Sequence, residues 1–254
     1  MITSLLTYNI QWGGIGRERL LLEVLEQNRA DLIVLQEVVR TRVVEWFARE
    51  LGMEWFVPRG PYRQRVAVLS RFPIRSGKGY SLFPAECNVL RTEIEHRTGE
   101  RLTLFGLHLT ASSHFVPMEA VRLLQARFLS RLLHAGHGVT LLAGDLNAVA
   151  RGDRVDVHRM PRRHKSVVQL LGGGYQKWAI PEIERAGFVD AYRVLHPDEP
   201  GFTVPPRDPH IRLDYALVPR GMRERVVRCE PVTIPKAVRK ASDHLPVRME
   251  IELD

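Results

Sequence analysis

Along the chain, apolar positions switch repeatedly between a period of two and a helical period. Ser4 to Ile10 reads as a strand that delivers Asn9 at its end, and Gln11-Trp12-Gly13-Gly14 follows as a loop. From Arg17 to Asn28, Leu20, Leu21, Val24 and Leu25 recur at helical spacing. Asp31 to Glu37 is then a buried strand with an acid at its tip. This β-α-β order allows two neighbouring strands to place Asn9 and Glu37 side by side. Thr41 to Leu51 predicts a second helix, stopped by Gly52.

From Trp55 to Leu109 the pattern becomes one of short strands and turns. Arg65–Ser70, Asn88–Ile94 and Arg101–Leu109 are strands, with Thr98-Gly99-Glu100 as the hairpin turn between the last two and His108 near the end of the third. Pro117 opens a helix to about Ala135, with Val121, Leu124, Phe128 and Leu132 on one face and Gly136 as its stop. Val139 to Ala143 is a buried strand running into Gly144-Asp145-Leu146-Asn147, where alternation puts Asp145 and Asn147 on one side. Arg151 to Gly174 is irregular and basic. Gly172-Gly173-Gly174 is not a nucleotide fingerprint, because no strand feeds it. Pro181 to Ala186 suits a short helix, and Ile211–Val218, Arg225–Val232 and Val247–Leu253 suit strands. Ser242-Asp243-His244-Leu245-Pro246 precedes the last of them. Strands alternate with helices in both halves, with no repeat and no low-complexity linker. That order fits one domain over residues 1–254, with two packed sheets flanked by helices.

Composition narrows the class. The chain has 254 residues, 44% hydrophobic and 26% charged, which argues against disorder. A net charge of +8, carried mostly by Arg, favours an anionic partner such as nucleic acid, a phosphorylated small molecule or anionic lipid. Cys87 and Cys229 make neither a disulfide framework nor a zinc cluster, so a reducing compartment is expected. The strand-like start lacks a signal-peptide pattern, and no apolar run approaches a bilayer span. The expectation is a cytoplasmic protein with no integral membrane contact and no evident protein partner.

The candidate chemistry lies at strand ends: Asn9, Glu37, His108, Asp145, Asn147, Asp214, Asp243 and His244. Singly, each has an ordinary explanation. Asn9, Asp145, Asn147 and Asp243 are turn formers, Glu37 can cap the next helix, His108 can satisfy a local hydrogen bond, and Arg212 and Asp214 can decorate a strand face. Together they gain weight, because adjacent strand ends converge on one rim.

In order, Thr7-Tyr8-Asn9-Ile10, Leu35-Gln36-Glu37-Val38, Val68 to Ile74, His108-Leu109, Arg122-x-x-Gln125, Gly144 to Asn147, Arg212 to Tyr215 and Ser242 to Pro246 form a recognisable series. The chain thereby resembles the endonuclease/exonuclease/phosphatase superfamily, metal-dependent phosphoesterases related to pancreatic deoxyribonuclease and exonuclease III. The resemblance implies an α+β fold, a four-layer α-β-β-α sandwich of two mostly antiparallel or mixed sheets flanked by helices. It also implies Glu37 as the main Mg²⁺ or Mn²⁺ ligand, with Asn9 and Asp243 close to the metal. Asp145 would orient or deprotonate the attacking water, while Asn147 and His108 hold the phosphate and His244 is oriented by Asp214. The base can be Asp145 or His244. Gln11 stands where some apurinic-type nucleases of this superfamily carry an acid, which weakens a two-metal assignment. Ala148-Val149-Ala150 argues against the inositol-phosphatase branch, and the missing export signal against the secreted sphingomyelinases.

The expected activity is Mg²⁺/Mn²⁺-dependent hydrolysis of phosphate esters, with DNA or RNA as substrate. Support comes from the Arg-rich stretch 151–165, from Arg220, Arg223, Arg225 and Arg228, and from Arg59, Arg63 and Arg65 around Tyr62. Trp12 can stack an unpaired base; Arg122 and Arg212 are further substrate-binding candidates. The alternative is a phosphatase or a phospholipid phosphodiesterase, for which Phe83, Phe115 and Trp178 would be the apolar loop tips. A catalytically silent binding module is disfavoured, because every acid and histidine position is present.

Overall fold

The computed structural model describes residues 1–81, 88–111, 118–133, 138–162, 165 and 177–253. Phe83, Cys87, Phe115, Pro117, Gly136, Arg163 and Gly172-Gly173-Gly174, singled out above, lie outside the described residues. Strands β1 (Ile2–Asn9) and β2 (Leu32–Val38) flank helix α1 (Glu18–Asn28), and α2 (Thr41–Leu51) follows with Gly52 as a left-handed cap. Next come β3 (Glu54–Phe56), β4 (Arg65–Ser70), β5 (Ile74–Tyr80), β6 (Val89–Glu95), β7 (Arg101–His108), helix α3 (Glu119–Leu133) and β8 (Val139–Asp145). A short helix, Ala179–Arg185, leads to β9 (Phe188–Asp190), and β10 (Asp214–Pro219), β11 (Val226–Pro231) and β12 (Val247–Glu252) close the chain.

The strands form two six-stranded sheets, in the orders β11-β12-β1-β2-β4-β3 and β5-β6-β7-β8-β10-β9. In each sheet the central pair is parallel, β1 with β2 and β7 with β8, and every other pairing is antiparallel. The central strands read as near-continuous apolar runs because both of their faces are covered. Leu5, Leu32, Val34, Leu104, Leu141 and Met249 pack between the sheets. Leu6, Tyr8, Ile33 and Leu35 face α1 and α2, whereas Phe105, Leu142 and Leu217 face α3 and the Ala179–Arg185 helix. The result is the four-layer α-β-β-α sandwich. No helix among the described residues is long and apolar enough to cross a membrane.

The structure departs from the pattern reading at edges and on one helix. β3 and β9 are three-residue edge strands, and β5 is an edge strand whose Arg75, Ser76 and Lys78 give no apolar alternation. The strand expected from Ile211 begins at Asp214, with Ile211 bridging Val204 instead. On α3, Leu124 is exposed, whereas Arg122, Gln125, Ala126 and Leu129 turn inward. The polar pair is drawn in by hydrogen bonds. Arg122 Nη1 donates to Thr110 O at 3.0 Å, and Gln125 bonds the Thr110 amide and hydroxyl at 3.0 and 2.9 Å.

Gly144 shows how tightly β7 and β8 approach. A Cβ there would sit 1.9 Å from the Leu107 carbonyl oxygen. Gly144→Ala should therefore destabilise the fold by about 1–3 kcal/mol or more. Urea unfolding measures this, and a wild-type midpoint would show that the two strands can part without cost.

Candidate active site

Topology assembles the site. The parallel pairs end on one rim, which brings the C-terminal tips of β1, β2, β7 and β8 together. β10 and β12 start on that same rim, because Asp214 is paired with Asp145 and Val247 with Thr7. Asn9, Glu37, His108, Asp145, Asp214, Asp243 and His244 thus arrive from both sheets.

At its centre is Asp145, buried at 1% exposure. Its Oδ2 accepts Asn9 Nδ2 at 2.9 Å, and its Oδ1 accepts the Asn147 amide at 2.8 Å. His108 Nε2 and His244 Nε2 stand 3.9 and 3.8 Å from the same Oδ2. His244 Nδ1 is 2.8 Å from Asp214 Oδ2, and Asp214 Oδ1 is buried without a partner among the described residues. Burial opposes charge on His244, but the Asp214 and Asp145 carboxylates overcome it and raise its pKa to about 10. Burial, with Asp214 adding to it, pushes the Asp145 carboxyl up against the pull of His244 and His108.

Glu37 lies at φ 61 in an irregular stretch of the β2–β4 ladder between Leu35 and Val38, which turns its side chain toward the rim. Its Oε1 accepts Asn9 Nδ2 at 3.1 Å, and its Oε2 accepts the Trp12 amide at 2.7 Å and Gln64 Nε2 at 3.1 Å. It does not cap α2, which has no side-chain cap. Among the described residues no cation pairs with Glu37 or Asp243. Asn147 reaches Asp145 through a left-handed residue, φ 47, and its Nδ2 donates to Leu109 O at 3.0 Å. Strand alternation alone would not bring it there. Ser242 and Gln64 also belong to the site. Ser242 Oγ donates to Asn9 O at 2.6 Å and stands inside the Ser242 to Pro246 motif, whereas Gln64 carries no distinguishing sequence signal.

Arg122 and Arg212 do not join this cluster. Arg122 pairs with buried Glu119 at 2.9 Å. Arg212, 2% exposed, spans Asp153 at 2.8 and 2.9 Å, pairs with Asp190 and stacks on Tyr192 and Tyr215. The Arg212 side chain is thus engaged in a buried ion network, found only because distant Asp153 and Asp190 fold against it. Arg220 to Arg228 follow β10 away from the rim, and Arg228 pairs with Glu230 and Glu250. Arg63 instead lies just before β4, and Arg65 opens that strand at the rim beside Val38. Trp12 is exposed next to Glu37.

Asp145, Asp214 and His244 offer ligand atoms within 4.8 Å of one another, a group able to hold a metal ion. Asn9 links Glu37 to Asp145, and Ser242, which donates to Asn9 O, lies 3.3 Å from Asp243 Oδ1.

The endonuclease/exonuclease/phosphatase family pattern matches residues 6–244. The chain belongs to that family, and it is an enzyme of phosphate-ester hydrolysis. No curated protein matches it in sequence. An AP endonuclease from Archaeoglobus fulgidus superposes with a TM-score of 0.76 at 19% identity, covering 99% of this chain and 100% of its own. The 3′ phosphatase NExo from Neisseria, bound to a product DNA hairpin, gives 0.76 at 17% identity over 99% and 100%. A humanized D. rerio TDP2 gives 0.70 at 15% over 99% of both chains. These likenesses establish the shared fold.

Two measurements probe the electrostatics. The folded-state pKa of His244 lies above its unfolded value of 6.5, so the stability it adds is full below pH 6.5 and fades as pH rises toward about 10. Asp214→Asn should lower the His244 pKa in an NMR titration and flatten that slope; an unmoved pKa would show that Asp214 does not hold the charge. Asp153→Ala, which strands buried Arg212, should cost about 3–5 kcal/mol in chemical denaturation. A near-neutral result would return Arg212 to the candidates for substrate contact.

Proposed function

We propose that the protein is a Mg²⁺- or Mn²⁺-dependent nuclease, a phosphodiesterase acting on DNA or RNA. The observation that carries this is the set of groups around Asp145 Oδ2: an amide at 2.9 Å and two imidazoles at 3.8 and 3.9 Å. In this reading Asp145 is the base toward water, because burial makes its carboxylate more basic. His244, held charged by Asp214, is then a donor rather than a base. Together with His108 it offers N–H groups to phosphate oxygens as negative charge builds on them. Asn147 spends one amide hydrogen on Leu109 O and keeps the other for a phosphate oxygen.

The donor set fits a hard divalent cation. Glu37 and Asp243 have no cationic partner among the described residues, and Asp145 and Asp214 share the charge of His244. An anionic phosphate entering this rim needs further positive charge. Glu37, with Asn9 and Asp243, would hold the ion, which would polarise the phosphoryl group and stabilise the leaving oxygen. The group formed by Asp145, Asp214 and His244 is a poorer fit, because His244 Nδ1 is already engaged by Asp214.

Nucleic acid is favoured by the +8 charge, by Arg63 and Arg65 at the rim, and by two of the structural neighbours, one an AP endonuclease and one bound to a DNA hairpin. The lipid alternative is left with Trp178, 44% exposed, as its described apolar tip.

The test is a panel of plasmid, single strand, abasic duplex, RNA, nucleotide and phospholipid substrates with Mg²⁺, Mn²⁺ or chelator. Nucleic-acid cleavage that chelator abolishes and metal restores is expected. Asp145→Asn should lower kcat by about 10²–10⁴-fold with an unchanged circular dichroism spectrum. Turnover only of phospholipid, or full activity of Asp145→Asn, would overturn the assignment.

A further inference from the structure

Gln11 and Trp12 lie at φ 49 and 53, followed by Gly13 and Gly14 at φ 71 and 66, so four successive residues are left-handed. For Gln11 and Trp12 this conformation crowds Cβ against the backbone, and it persists only where surrounding structure imposes it. The imposition is visible. A Cβ on Gly13 would sit 3.1 Å from Val39 Cβ, and one on Gly14 would sit 2.1 Å from Leu21 Cδ1. The turn is seated on those two side chains, yet Trp12 is 54% exposed. A side chain held out of the core by a strained backbone contributes little to packing.

The exposed ring is also keyed to the site. The Trp12 amide donates to Glu37 Oε2 at 2.7 Å, and Gln64 Nε2 donates to the same oxygen at 3.1 Å. Arg63, next to Gln64, holds its Cζ 5.5 Å from the centroid of the Trp12 ring. Among the described residues Arg63 has no carboxylate partner. One carboxylate oxygen therefore sets the position of an exposed indole and of the guanidinium against it. An indole backed by a cation on one side and open on the other suits the face of a nucleobase, and the guanidinium suits the phosphate beside it.

We propose that the Gln11–Gly14 turn, with Trp12 as its face and Arg63 behind it, is a stacking platform for an unpaired nucleobase next to the scissile phosphate. The enzyme then selects single-stranded or frayed nucleic acid bearing a base at that position over a base-free strand. This rests on the nuclease reading and adds a substrate preference to it.

The test compares wild type, Trp12→Phe and Trp12→Ala on a single-stranded oligonucleotide and on the same strand with a tetrahydrofuran abasic residue at the cleavage position. Wild type should prefer the base-bearing strand. Trp12→Ala should reduce that preference in kcat/KM by about 10- to 100-fold, mainly through KM, and Trp12→Phe should retain most of it. Binding is read separately from the fluorescence of a 2-aminopurine at the same position, which stacking quenches. Quenching by wild type that Trp12→Ala loses supports the platform. An equal fall on both strands, a wild-type preference for the abasic strand, or an absence of quenching would overturn it. Quenching without any cleavage supports the platform and counts against the nuclease assignment alone.

Discussion

One buried amide ties the two halves of this molecule together at the rim. Asn9, at the end of β1, donates through Nδ2 to Glu37 of its own sheet and to Asp145 of the other. Both acceptors are carboxylates, so these are charge-assisted bonds in a region of low dielectric. They form only if β1 and β8 end at the same level, and that level is set by the side chains packed between the sheets. A slide of one sheet over the other would break both contacts and separate Glu37 from Asp145. Register in the core is thereby converted into distance in the site.

Around that amide, charge is distributed unevenly. Asp145 is surrounded by neutral donors and by imidazoles beyond hydrogen-bond length, whereas Asp214 has a short contact to His244. Two carboxylates that face one another across antiparallel strands are thus given different environments. One becomes more basic, and the other fixes a proton on histidine. On the Glu37 side, by contrast, amide donors from Asn9, Trp12 and Gln64 surround the carboxylate, and no cation among the described residues offsets its charge.

The rim is rigid for reasons that lie behind it. Tyr215 Oη contacts Ala148 O and Asp153 Oδ2 at 3.0 Å and the Ala150 amide at 3.2 Å, tying the loop after Asn147 to β10. Arg212, on the other side of Asp214, is clamped by Asp153 and Asp190. On the first sheet, the turn at Trp12 is seated on Val39 and Leu21. Left-handed residues at Gln11, Trp12, Glu37 and Asn147 all stand at strand ends on this rim. Strain there is borne by strands whose pairing is settled elsewhere.

Much of this was written in local pattern. The central strands, α1, α2 and the β6–β7 turn follow from apolar periodicity and from Gly52 and Gly99, because both faces of those strands are buried and the caps need a left-handed residue. The polar strand ends could also be read from the motif series, and the two sheets bring Asn9, Glu37, His108, Asp145, Asp214 and His244 to one rim. The edge strand β11 was read, but the edge strands β3, β5 and β9 escaped, since three residues or an exposed face leave no period to read. The inward face of α3 escaped because Arg122 and Gln125 are buried by partners on a distant strand end, which no helical period encodes. For the same reason Arg212 could not be told from a substrate contact until Asp153 and Asp190 closed on it. The motif series, through the family it resembles, indicated which chemistry the chain carries, and the basic composition favoured an anionic partner. Only the packing of one sheet on the other decided which side chains share an oxygen, which are spent holding the fold, and where a tryptophan is left facing outward.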